Sequence, residues 1–398
     1  MSPPRAQASV NVAAIERNCS RLRCELRAGA ELCAVVKADG YGHGAAASAR
    51  AALAGGASWL AVASAREARE LRDAGVGGAP ILVMGVLSLE EVGEALAADA
   101  DVVVWSERYV RAVADAGGGR VHVKLDSGMG RLGTRDSGLA SRVLALARDT
   151  RSVQPVGLMT HFATADELDD DGFFERQLDT FARWARELKL AHPQLIVHAA
   201  NSAAMLREPD AQFDMARCGI AVYGMDPFGV DPAERALQPA LALSSYVAEV
   251  KLFRAGESAG YGRRFVAQRD TYLGVLPIGY GDGWRRGLSN NADVLVGGRP
   301  YPLVGTVSMD NVTIDLGPDA GAGGLRGEPA TLIGIDGEQR ITAEDVARRL
   351  DTINYEVTCG LTARVARVHH RDGVRSQAPA AVAQASTPAA SPLSPGHA

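Results

Sequence analysis

The chain has 398 residues, with 42 Lys and Arg against 47 Asp and Glu, a formal charge of −5. That balance argues against a nucleic-acid partner. With 47% apolar and 22% charged residues the chain is globular rather than disordered, and long enough for roughly two or three domains. The first ten residues carry no apolar stretch behind a basic end, as a secretory signal would, and no window approaches the ~18 continuous apolar residues of a membrane span. Five cysteines, an odd number with no paired C-x-x-C spacing, predict free thiols and no zinc site, and the expected compartment is the cytoplasm.

In chain order, the short run Ala8-Ser-Val-Asn-Val comes first and is expected to pair with a C-terminal β domain, giving a small N-terminal segment over 1–12. From Glu31 to Gly224 one unit then repeats: a β-rich apolar run followed by an Ala- and Leu-rich stretch with helical spacing. The runs begin at Leu32, Trp59, Ile81, Asp101, Val121, Val156, Leu195 and Met215. Between them, Ser88 with Glu91 forms a capping-box pattern. This repeat over 13–235 predicts a closed (β/α)8 barrel of TIM type, with an open doubly wound sheet as the rival.

After Arg235, Pro239, Pro277, Pro300 and Pro302 punctuate short runs such as Tyr272-Leu-Gly-Val-Leu and Val294-Leu-Val. They predict a mainly β domain over 236–372, interrupted by one helix at Ala343–Leu350 with Thr342 as its cap. The uncharged Ala-, Ser- and Pro-rich segment 373–398 reads as a disordered tail.

In such a barrel the chemistry comes from the C-terminal ends of the strands. There the chain places Lys37-Ala-Asp39-Gly-Tyr41-Gly-His43, Lys124-Leu-Asp-Ser-Gly-Met-Gly-Arg131, His161, Asn201-Ser202 and Arg217-Cys-Gly219-Ile220. Lys37 is either a lysine snorkelling off a strand end or a desolvated amine able to form a Schiff base. Asp39 and His43 fit a turn and a helix start equally well. Asn201, Ser202, Gly219 and Ile220 could cradle a phosphate on backbone N–H groups or simply cap and turn the chain. Arg217 could pair with Asp214. Lys124 and Arg131 could face one substrate across a glycine-rich loop, Arg131 as a bidentate carboxylate clamp, or both stand in solvent. In the β domain, Tyr261 and Tyr280 sit among glycines, while Ser308-Met309-Asp310-Asn311 and Asn354-Tyr355 are short polar islands; composition assigns them nothing beyond turns.

Taken together, these stretches resemble the alanine racemase family from about Ala8 to Arg371. The resemblance rests on Ala34-Val-Val-Lys-Ala-Asp-Gly-Tyr-Gly-His-Gly, Lys124-Leu-Asp-Ser-Gly-Met-Gly-Arg-Leu-Gly, His161-Phe-Ala, Asn201-Ser, Arg217-Cys-Gly-Ile-Ala-Val-Tyr-Gly, Gly260-Tyr-Gly and Val307-Ser-Met-Asp-Asn. It implies a pyridoxal 5′-phosphate enzyme that interconverts L- and D-alanine for cell-wall peptidoglycan. Lys37 would carry the cofactor and act as one base, and Tyr261 would be the other, hydrogen-bonded to His161. Arg217 would face the pyridine nitrogen and keep it unprotonated. Tyr41, Ser202, Gly219, Ile220 and Tyr355, with Asn201 nearby, would hold the phosphate. Arg131 and the backbone at Met309 would hold the substrate carboxylate, with Asp310 in support, and Lys124 matches a lysine carbamylated in many members. Tyr280 and Tyr355 would narrow the entrance to favour a small side chain. Members are head-to-tail homodimers in which Tyr261 and Met309 face Lys37 of the other subunit. A serine or broad-specificity racemase, a related decarboxylase and a non-catalytic cofactor carrier are the alternatives. Cys218 replaces a more usual aliphatic residue or proline, and the tail has no counterpart.

Overall fold

The computed structural model describes residues 4–321 and 324–375. Its first strand, β1 (Gln7–Asn11), leads into helix α1 (Val12–Glu25), whose first turn is capped by the Asn11 side chain accepting from the Ala13 N–H at 3.1 Å. Eight strands follow: β2 (Glu31–Val35), β3 (Trp59–Val62), β4 (Ile81–Val83), β5 (Ala100–Val104), β6 (Gly119–Lys124), β7 (Val153–Met159), β8 (Ile196–His198) and β9 (Met215–Cys218). Each pairs in parallel with its neighbour from β2 to β8, and β9 pairs with β2.

The remaining gap, between β8 and β9, is spanned by single bonds instead of a ladder. The Asp214 N–H donates to Val197 O and the Arg217 N–H to Ala200 O, both at 2.9 Å, and the Asp214 carboxylate accepts from the Val197 N–H at 2.7 Å. The predicted barrel therefore closes, and the open doubly wound sheet is set aside. Leu60, Ile81, Leu82 and Val83 have no exposed surface, as expected of strands covered on both faces. Truncating such a leucine to alanine would cost about 2–5 kcal/mol. Ser64 with Glu67, and Ser88 with Glu91, form reciprocal capping boxes that start two of the outer helices.

The C-terminal part is one large, mainly antiparallel sheet, and β1 belongs to it: β1 runs antiparallel to Leu241–Tyr246 and parallel to Ala366–Arg371. The N-terminal strand thus ties the sheet to α1 and so to the barrel. The helix Ala343–Leu350 is present, with Thr342 and Asp345 closing a capping box, but a second helix, Asn354–Cys359, follows it unforeseen and carries Tyr355. Val374–Arg375 pair with Ala366–Arg371 through His370 and Arg371, so order continues past the expected start of the tail at 373; residues 376–398 of that tail lie outside the described residues. Among the described residues no helix is long and apolar enough to cross a membrane.

Candidate active site

Lys37 does not end β2 as the sequence suggested. It opens a five-residue helical segment, Lys37–Tyr41, in which Ala38, Asp39, Gly40 and Tyr41 have φ of 52°, 51°, 61° and 53°. Left-handed backbone costs roughly 1–2 kcal/mol for each non-glycine residue, so this turn must be held from outside. Glu67 accepts from the Ala38 N–H, Asp39 from the Ala45 N–H, and the His43 Nδ1–H donates to the carbonyls of Gly40 and Tyr41. Asp39 and His43 are accounted for by these structural bonds. Their product is a reversal that leaves Lys37 at the barrel mouth and turns the Tyr41 ring inward against Tyr223, with centroids 5.1 Å apart, and Tyr355 at 6.0 Å.

The electrostatics of the mouth are one-sided. Burial and the Arg131 charge hold the Lys37 amine below its usual range, and burial with the Arg217 charge lowers Lys124 to about 8. Lys124 is buried, which removes the solvent-loop reading for it, whereas Arg131 is exposed. Arg217 is buried and still cationic at neutral pH, its guanidinium lowered only to about 10. It does not pair with Asp214, which is taken by Lys189 at 2.8 Å. Instead it donates to His198 Nδ1 at 2.7 Å, Thr160 O at 2.8 Å, Ala199 O at 2.9 Å and His161 Nδ1 at 3.2 Å. Among the described residues none of Lys37, Lys124, Arg131 and Arg217 forms a salt bridge. Four cations without carboxylate partners make a receptor for an anionic ligand.

Beside them lies a small cup. The Ser202 hydroxyl accepts from the Gly219 N–H at 3.1 Å and the Ala221 N–H at 3.4 Å, which fixes the loop after β9. Ile220 opens a 3-10 turn, so its N–H has no partner within that turn. Gly219 is required by proximity: a Cβ there would collide with the Tyr41 hydroxyl. Tyr41, Ser202, Gly219 and Ile220 therefore converge, and Tyr355 closes over them by its ring contact. Asn201 adjoins the cup, but its side-chain carbonyl is committed to capping the helix Ser202–Arg207, accepting from the Ala204 N–H at 2.9 Å.

Tyr261, Tyr280, Met309 and Asp310 form a separate group on the β domain. Tyr261 exposes 73% of its surface, Met309 51% and Tyr280 41%. They are tied together through the backbone: the Tyr280 and Gly281 N–H groups donate to Ser308 O and Met309 O, and the Thr306 hydroxyl to Tyr261 O. Asp310 pairs with Arg364 at 2.6 Å. The expected His161–Tyr261 bond is absent within the chain: His161 Nδ1 accepts from Arg217, and the Tyr261 hydroxyl has no hydrogen bond among the described residues.

Two groups went unread in the sequence. One is Glu67, whose carboxylate braces both the left-handed turn and its own helix. The other is a line of buried ionisable residues inside the barrel, Asp101, His122 and His198, each an ionisable side chain in an otherwise apolar strand, which was the available signal.

Comparison with known proteins agrees with this layout. The model of the alanine racemase N-terminal domain matches residues 10–227 and that of the alanine racemase C-terminal domain matches 240–369. The chain is 41% identical to the alanine racemase of Thermobifida fusca over 92% of its own length and 98% of that protein, and 39% identical to alanine racemase 1 of Bacillus subtilis over 92% and 93%. Among solved structures, alanine racemase from E. faecalis superposes with a TM-score of 0.85 at 37% identity, covering 92% of this chain and 98% of that one. The Bacillus anthracis alanine racemase with bound L-Ala-P also gives 0.85, at 34% identity over 94% and 97%. With both halves matched in order and relatives near 40% identity over nearly their full length, the chain belongs to the alanine racemase family.

Proposed function

We propose that this protein is a pyridoxal-phosphate-dependent racemase interconverting L- and D-alanine as a homodimer, in the cytoplasm, where its product supplies peptidoglycan. The observation that carries this reading is the set of unpaired cations around an amine whose proton affinity is lowered. The donor set fits the cofactor: Tyr41, Ser202 and the N–H groups of Gly219 and Ile220 would hold its phosphate, Lys37 its aldehyde carbon, and Arg217 its ring nitrogen. When bound, the cofactor supplies an electron-withdrawing ring that acidifies the substrate α-carbon.

Racemisation needs one base on each face of that carbon. Burial and the Arg131 charge lower the proton affinity of Lys37 Nζ, which favours the neutral amine that can take a proton on one face. The second base in this reading is Tyr261 of the partner subunit, since in its own chain that side chain stands in solvent. His161 is suited to assist it. Arg217 has only donors, so His161 Nδ1 must accept and its proton must sit on Nε2, where it can donate to a tyrosine oxygen and favour the ionised form. Arg131 and the N–H of Met309, which has no acceptor among the described residues, are suited to a substrate carboxylate, with Asp310 restraining the Met309 turn through Arg364. A carbamylated Lys124 would place a negative charge beside Arg131 and relieve the repulsion there.

The test is conversion of L-alanine in deuterated water with added pyridoxal phosphate, run beside L-serine and L-lysine. D-alanine bearing solvent deuterium at the α-carbon is expected, with serine and lysine turned over more slowly. Spectroscopic capture of the cofactor on Lys37 without deuterium exchange into any of the three would replace this reading with a carrier.

A further inference from the structure

The cation facing the site is connected to the opposite end of the barrel. Behind Arg217, His198 Nε2 lies 2.8 Å from His122 Nδ1, and His122 Nε2 lies 3.3 Å from the Asp101 carboxylate. Asp101 is in turn gripped by Arg120 Nε at 2.5 Å, and Arg120 also holds Asp99 at 2.8 Å at the surface. Asp101, His122 and His198 have no exposed surface. The chain thus runs across β9, β8, β6 and β5, from the catalytic mouth to the floor.

Its proton positions follow from the donor inventory. Arg217 can only donate, so His198 Nδ1 accepts and the His198 proton is on Nε2. That N–H points at His122 Nδ1, which must accept, so the His122 proton is also on Nε2 and is donated to Asp101. Every bond points the same way, from the cation to the carboxylate, and neither ring can flip or take a second proton without breaking a bond. An apolar plug of the same volume would fill the barrel at no greater cost, because burying ions is expensive. What a plug could not supply is directional restraint on a guanidinium that has no carboxylate partner of its own. Two terminal nitrogens of Arg217 are held by this line and by the Thr160, Ala199 and His161 acceptors, leaving Nε–H as a donor without a partner among the described residues.

We propose that Asp101, His122 and His198 are positioning residues for Arg217: a one-way hydrogen-bonded chain that fixes the plane of the guanidinium from the far end of the barrel. The inference rests on the reading of Arg217 as the group facing the cofactor ring, but the proton positions can be measured without the cofactor.

The experiment uses the full chain labelled with ring-15N histidine, together with steady-state racemisation. In wild type, the His122 and His198 signals, assigned by substitution, are expected to show single protonation on Nε2, and Asp101→Asn is expected to shift the His198 signal. His122→Leu is expected to lower kcat about tenfold with KM within about twofold, as loss of an orienting partner does behind a metal-bound histidine. His122→Gln, whose amide can accept from His198 and donate towards Asp101, is expected to recover most of that loss. If His122→Leu does not fold, the isosteric Asp101→Asn supplies the kinetic arm, with a smaller fall in kcat. Protonation of either ring on Nδ1 or on both nitrogens overturns the proposal. So does equal turnover by the Leu and Gln variants, or wild-type turnover by Asp101→Asn. Absence of racemisation by wild type with the predicted 15N pattern intact would fault the proposed activity and leave the chain of bonds standing.

Discussion

At the barrel mouth, Lys37 and Lys124 are withdrawn from water and held below their usual proton affinities, and the loops that carry the cup are tied by named hydrogen bonds. On the β domain, Tyr261 stands in solvent and Tyr280 and Met309 are about half exposed, all three organised through their backbones. The first region has cations without a salt-bridged carboxylate among the described residues; the second has an aromatic and apolar surface that is largely uncovered. If Tyr261 is the second base, as proposed, a site complete within one chain would not leave it 73% exposed. The contrast therefore supports assembly of the site from two copies, each giving its barrel mouth to one site and its β surface to the other.

The sharpest way to break that comparison is to damage the two regions in different chains. Lys37→Ala and Tyr261→Phe homodimers should each lose about a thousandfold or more in kcat/KM, within the range for removing an acid–base group or an obligatory nucleophile. Mixed and reassembled from the two variants, random dimers should recover about a quarter of wild-type activity, because half are mixed and each of those has one intact site of two. A site built within one chain would recover none. Activity of the mixture after refolding and reassociation is the measurement.

Next in size is an insult confined to the cup. Gly219→Ala puts a methyl group into the Tyr41 hydroxyl, and overpacking of this kind costs about 1–3 kcal/mol. The dissociation constant for pyridoxal phosphate should rise roughly ten- to hundredfold, read by equilibrium dialysis. Met309→Glu, on the solvent-facing half, should leave the thermal stability of the isolated subunit within about 0.5 kcal/mol of wild type. It should still shift sedimentation from dimer towards monomer. A Gly219→Ala effect on subunit association, or a Met309→Glu effect on cofactor affinity in the monomer, would blur the two regions into one.

How much of this was legible depended on whether a residue's role is local. The barrel strands announced themselves because each is a short β-branched run covered on both faces, and Ser88–Glu91 announced its helix because capping is read over four residues. Lys37 was expected to end β2 and instead opens the left-handed turn that follows it, which the sequence did not show because Glu67 and His43 impose it from outside the segment. The helix bearing Tyr355 has six residues, too few to show a period. Asp101, His122 and His198 fall in the apolar runs that begin at Asp101, Val121 and Leu195: strand periodicity gives which face a residue takes, but only the register across β5, β6, β7 and β8 brings the three together. Tyr261 and Met309 are the extreme case, since in the proposed reading the groups they face belong to another subunit.

The smallest predicted effect separates the two electrostatic states open to the mouth. Buried Lys124 titrates at about 8, below the ordinary lysine value, because burial and the Arg217 charge disfavour its protonated form. Between about pH 8 and the unfolded value near 10.4 the unfolded chain binds more protons than the folded one, so stability attributable to this group rises with pH across that window and is lost below it. Lys124→Met removes the penalty. The cofactor-free variant in carbonate-free buffer should therefore melt at a higher temperature than wild type at pH 7, reflecting a stability gain on the order of 1–3 kcal/mol, and the gap should close as the pH approaches 10. Added bicarbonate should reverse the sign if the neutral amine is carbamylated, because the substitution then deletes an anion beside Arg131 instead of an unpaired cation. Thermal melts at three pH values, with and without bicarbonate, separate the two states. A Lys124→Met melt that tracks wild type throughout would mean that the mouth is less starved of negative charge than its unpaired cations imply.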